Sequence, residues 1–292
     1  MGPERMELIV FPHLPATARA VTFYLMALGM CVTLALTWPN GEAAAAFAMF
    51  TPLLSVLLMQ LVVTRDGWRR AGWPGLGLGR LGARFWPVAV VLPLVVLLAS
   101  ETAVRLTGLT TWHLPGHADG LMLLTDLPIM LIFVFGEEIG WRGYLGPLLA
   151  ASGRRVPHLL TGLLHGIWHL PLVLLATGGY LTEGNRWIII PIFLAVLTCA
   201  GQIYGQVRQV SGSVYPAVLT HTAFNMGLSI AVVVATTTDP DAVAAVGREA
   251  GIATLVAVAA AAVWITTRWT GASRPRVTED HPAPRPAVAA AR

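Results

Sequence analysis

Two adjacent carboxylates, an arginine, three histidines and an asparagine stand inside otherwise apolar sequence. They fall in three stretches: Glu137-Glu138-Ile139-Gly140-Trp141-Arg142, His165-Gly166-Ile167-Trp168-His169 and His221-Thr222-Ala223-Phe224-Asn225. A charge inside hydrocarbon costs several kcal/mol, so ionisable groups in such runs are functional candidates by default. Helical period sorts them. Glu138 and Arg142 are four apart with the acid first, so they share a face and can pair. Glu137 points about 100° away from Glu138 around the axis and has no such local partner. A buried carboxylate without a cation is suited to act as a general base towards water. His165 and His169 share a face, as do His221 and Asn225.

Amide hydrolysis needs a base for water, donors for the tetrahedral oxyanion and an acid for the leaving amine. Glu137 can serve as base and then as acid, and His221 with the Asn225 amide can donate to the oxyanion. No serine or cysteine nucleophile is required, and Ser213, Ser229 and Cys199 have no evident base at helical spacing. A divalent metal such as zinc is the other chemistry. Glu137, His165, His169 and His221 offer its N and O ligands, with Glu137, His169 and His221 as the expected set. The absence of HExxH favours a metal-free site.

These residues must be positioned by membrane helices. The chain has 292 residues, 55% hydrophobic and 12% charged, about half the charge of a soluble domain. That composition excludes a disordered chain and an ordinary soluble enzyme. Long apolar runs between arginine-bearing loops read as an all-α, polytopic bundle of about eight transmembrane helices. Their approximate ranges are 20–38, 43–63, 85–106, 121–149, 156–176, 187–207, 213–236 and 251–269. The first is too long for a secretory signal and reads as a membrane helix. One bundle over 1–270 is expected, followed by a Pro/Ala/Arg-rich disordered tail at 271–292.

All 19 basic residues are arginine. Arg65, Arg69, Arg70, Arg80, Arg84, Arg154, Arg155 and Arg208 follow the second, fourth and sixth spans, while the other loops are mainly acidic. The positive-inside rule then puts both termini in the cytoplasm, and a multi-pass protein of the plasma membrane is expected. Arginine at span ends is a topology signal, and no nucleic-acid partner is expected. Cys31 and Cys199 lie in apolar runs, which excludes a disulfide framework.

Three further readings bear on packing. Gly136/Gly140, Gly162/Gly166 and Gly201/Gly205 are small-xxx-small pairs that permit close backbone approach. Glu101 and Arg105, four apart, read as an ion pair at the outer interface, and Asp126 as a charge near that interface. His221 falls only about eight residues into its span, so a depth shared with Glu137 requires the fourth span to run on beyond the membrane.

Glu137-Glu138-x-x-x-Arg142, then His169, then His221-x-x-x-Asn225, in order and each in its own span, resembles the CPBP family of intramembrane proteases. These are the type II CAAX prenyl endopeptidases and the bacterial Abi or bacteriocin-immunity homologues. The resemblance covers roughly residues 120–235. It implies Glu137 as the water-activating residue and Glu138 with Arg142 as a supporting pair. It further implies His169 as an orienter, and His221 with Asn225 as the oxyanion site. His165 departs from the family pattern, which places a bulky aromatic there; a harmless substitution, a second water ligand and a metal ligand are its possible roles. The resemblance implies a membrane-anchored or lipidated peptide or protein substrate cut near the cytoplasmic face. Two other functions fit the buried charges: a proton- or ion-coupled transporter using Glu137, Asp126 and the histidines, and a non-catalytic immunity protein. The chain has no internal repeat of the kind transporters use.

Overall fold

A computed structural model describes residues 14–38, 41–69, 72–176, 181 and 183–269; the tail at 271–292 and Arg70 lie outside them. The described chain is built from α1 (Ala16–Thr37), α2 (Gly41–Ala48), α3 (Thr51–Leu58), α4 (Trp86–Leu106), α5 (His117–Glu138), α6 (Gly146–Ala151), α7 (Pro157–Leu174), α8 (Arg186–Ser211), α9 (Tyr215–Val234), α10 (Pro240–Val246) and α11 (Ile252–Trp269). Two three-residue strands, β1 (Thr110–Trp112) and β2 (Ala235–Thr237), pair antiparallel. α3, α4, α6, α7, α9 and α10 each carry proline in the first turn, where the missing N–H is not needed. α8 is capped by the Asn185 side chain, which accepts from the Trp187 N–H, and it stops at Gly212, whose φ of +65° favours glycine.

Seven helical segments are long and apolar enough to cross a membrane. The fifth expected span, α7, is not among them, because its His158, His165 and His169 lower its hydropathy. α5 runs through a π-helical segment, Ile139–Leu145, into α6 as one helix of 35 residues, His117–Ala151. At 1.5 Å per residue this is about 52 Å, well beyond a hydrocarbon core of about 30 Å. The over-length resolves the depth problem, since it lets His221 meet Glu138 while α6 runs on.

The start of α1, the end of α8, the end of α11 and the loop between α3 and α4 lie together. Arg19 at the start of α1 pairs with Asp66 at 2.8 Å, Arg208 near the end of α8 donates to the Gly75 carbonyl at 2.9 Å, and Trp269 packs on Phe85. At the opposite end β1 pairs with β2, and Asp241 accepts from the Gly184 N–H.

Two apolar clusters flank the polar residues. One centres on Phe23, Trp141 and Trp168, from α1, the π segment and α7; the other joins α4, α8, α9 and α11 around Val96, Phe224, Tyr204 and Ile265. Gly162 of α7 meets Gly201 of α8, where a Cβ on Gly162 would lie 2.5 Å from the Leu197 carbonyl oxygen. Gly136 and Gly140 pack instead on Phe50 and on Pro52 with Phe23, so this pair seats larger neighbours rather than another glycine. The expected Glu101–Arg105 ion pair does not form. Arg105 lies over the Trp112 ring at 5.3 Å, and Glu101 turns inward to the segment carrying Gly247. Stacking on an aromatic face leaves the guanidinium hydrated at the surface, whereas pairing would draw it inward.

Candidate active site

Residues 136–146 are buried all round, although they belong to a helix whose preceding half is largely exposed. A helix can carry charge there only because α1, α3, α7, α8 and α9 all reach this segment. Glu137 is 1% exposed, Glu138 0%, Arg142 2% and His165 0%. Their partners are specific. Arg142 Nη1 donates to Glu138 Oε1 at 2.7 Å, and His221 Nδ1 lies 2.9 Å from the same oxygen. Glu137 Oε2 lies 2.8 Å from His165 Nε2. On the other edge of that ring, Arg142 Nη1 approaches His165 Nδ1 at 3.4 Å.

These contacts fix proton positions. Arginine only donates, so His165 Nδ1 accepts and the ring proton sits on Nε2, which donates to Glu137. Glu138 as a carboxylate only accepts, so His221 carries a proton on Nδ1. The rings are clamped by aromatics: Trp141 and Trp168 lie 5.1 and 5.9 Å from His165, and Tyr204 stacks on His221 at 5.1 Å and 17°. Tyr204 also takes the Arg142 guanidinium over its ring at 4.7 Å. Sequence reading missed Tyr204. The signal available was a phenol between Gly201 and Gly205 in an apolar helix.

His169 is half-buried, with its ring 5.0 Å from His165 and 5.7 Å from Phe193. Asn225 lies one turn past His221, with its amide donating to Met130 Sδ at 3.5 Å, a weak contact. The fold thus gathers Glu137, Glu138, Arg142, His165, His169 and His221, and leaves the Asn225 amide beside the cluster. Asp126 is half-buried in the exposed half of α5.

Glu137, His165 and His169 offer ligand atoms within 4.8 Å of one another, a set in which His165 takes the place expected of His221. The set does not fit a metal as arranged. Arg142, a cation, sits 3.4 Å from the second nitrogen of His165, where a metal-bound histidine needs an acceptor.

A membrane-spanning helical bundle with a buried carboxylate–imidazole cluster at its centre defines the class. Residues 119–227 match the family model described as Rce1-like, type II CAAX prenyl endopeptidase Rce1-like. The matched segment is the one that carries the three motifs, in agreement with the resemblance read from them. Compared with curated proteins, the chain finds no match.

Proposed function

We propose that the protein is an intramembrane endopeptidase in which Glu137 activates the attacking water. The observation that carries this reading is the unequal treatment of two neighbouring carboxylates. Glu138 is neutralised by Arg142 and shared with His221, whereas the hydrogen-bond partner of Glu137 is a neutral imidazole. A carboxylate without a cation keeps the basicity that a general base needs.

In this mechanism His165 Nε2–H holds one oxygen of Glu137 and the carboxylate takes a proton from water. The water oxygen attacks the scissile carbonyl carbon, and negative charge moves to the carbonyl oxygen. When the tetrahedral adduct collapses, the C–N bond breaks and the protonated Glu137 gives its proton to the leaving nitrogen, leaving a free acid and a free amine. His169 orients the water or Glu137. His221 donates to the oxyanion from Nε2, which requires both ring nitrogens to be protonated while Nδ1 stays on Glu138. Asn225 exchanges its Met130 contact for the oxyanion. The reaction proceeds without a metal, on a membrane-anchored or lipidated peptide or protein, near the arginine-rich end, which charge assigns to the cytoplasm.

The test compares peptide cleavage by purified wild type, Glu137→Gln and Arg69→Ala, an exposed control. Loss in the first variant alone is expected; equal activity in all three overturns the reading. Asn225→Ala is expected to lower kcat by roughly 10²–10³ through loss of one oxyanion donor.

A further inference from the structure

A cavity opens beside Arg142. It measures about 960 Å³ and lies over Gly201 and Gly205 of α8, between the α6–α7 turn and the end of α11. Among the described residues its walls carry three arginines, Arg142, Arg155 and Arg208, and no carboxylate. Most of the remaining surface is apolar, with Ala259, Ala262 and Val263 forming the α11 side. Val156 and Val263 line it and are 55% and 64% exposed, so the cavity opens onto the surface that faces lipid.

Two buried groups bordering it are incomplete. Arg142, 2% exposed, has Nε and Nη2 without a hydrogen-bond partner among the described residues. Gln206, 7% exposed, has Oε1 in the same condition. Buried donors and acceptors are nearly always satisfied, and an unpaired guanidinium edge calls for an anion. We propose that this cavity binds an anionic phospholipid of the surrounding leaflet. The phosphate is held among Arg142, Arg155 and Arg208, a headgroup hydroxyl satisfies Gln206, and an acyl chain lies along α11. A soluble anion would leave the apolar wall uncovered, and a zwitterionic lipid would bring an ammonium to a wall that has no acid among the described residues. The inference shares Arg142 with the catalytic cluster but does not rest on the role of Glu137, because its test reads lipid binding and not cleavage.

Cys199 lines this cavity and is half-buried, while Cys31 is fully buried, so alkylation of the full-length protein reports occupancy at one thiol with the other as internal reference. Detergent-purified protein is titrated with phosphatidylglycerol, phosphatidylcholine or inorganic phosphate. Bound lipid is read by native mass spectrometry and Cys199 modification by peptide mass. Phosphatidylglycerol is expected to bind about tenfold more tightly than phosphatidylcholine and to slow Cys199 alkylation. Arg155→Gln, at an exposed residue outside the catalytic cluster, should reduce the preference between the lipids, and Ala259→Trp should remove binding by filling the apolar wall. Equal binding of the two lipids overturns the proposal, as does unchanged binding in Arg155→Gln. Protection of Cys199 by inorganic phosphate alone, as complete as by lipid, overturns it in favour of a small-anion site.

Discussion

Glu137 and Glu138 are neighbours in sequence, equally buried, and differently employed. Glu138 meets a guanidinium and an imidazole on one oxygen; Glu137 is hydrogen-bonded, among the described residues, to the His165 imidazole, whose other nitrogen is approached by that same guanidinium. Arg142 therefore acts on both acids, by a direct ion pair on one and through the His165 ring on the other. Two acids in one buried place can be kept apart in chemistry when one cation is given to only one of them.

The comparison can be broken most decisively at Glu137. Glu137→Gln keeps the shape and can still accept from His165, so unfolding temperature should stay near wild type while kcat for peptide cleavage falls by about 10²–10⁴. Glu138→Gln should act on stability first, and lower kcat as well because His221 loses its carboxylate partner. It leaves Arg142 buried without its counter-ion, at a cost of about 3–5 kcal/mol. Thermal unfolding would show this as a large drop, partly recovered when Arg142→Met is added. If Glu138→Gln unfolds like wild type, the division of labour is wrong. Next in size is His165→Phe, which removes a hydrogen bond to a charged group worth about 1.5–3 kcal/mol. A fall of roughly 10–100-fold in kcat, with KM little changed, would mark His165 as a positioning residue. Activity that survives exhaustive chelation, with metal content checked by elemental analysis, would separate the glutamate mechanism from a metal-dependent one.

The smallest effect sharpens the comparison at a third carboxylate, outside the membrane spans. Burial pushes the Glu249 carboxyl above its ordinary value, against the lowering effect of Arg248. The folded protein thus holds this proton to higher pH than the unfolded chain does. Its contribution to stability is complete below the ordinary carboxylate pKa of about 4.3 and is lost as pH rises through the folded value. Glu249→Gln should flatten that part of a stability–pH curve, and an unchanged slope would count against it.

Much of this was legible before any coordinates. Periodicity and charge placed the spans, the pairing of Glu138 with Arg142 followed from a spacing of four, and the three motifs pointed to the right segment. Local spacing was less informative wherever a long-range partner decided the outcome. His165 looked like a departure of open role, yet it is the side chain bonded to Glu137, because α7 crosses the π segment at that height. Glu101 and Arg105 satisfied the spacing for an ion pair and did not make one, since Trp112 and the chain near Gly247 offered each something else. Tyr204 carried no chemical motif at all, and it supports both His221 and Arg142.

By itself, then, the sequence determined that charge would be buried in a lipid-spanning bundle and which residues would carry it, because composition and helical period act along the chain. Only the tertiary structure decided which acid would be neutralised and which left to an imidazole. That choice depends on distances of about 3 Å between helices far apart in sequence, and nothing in a single helix's periodicity sets them.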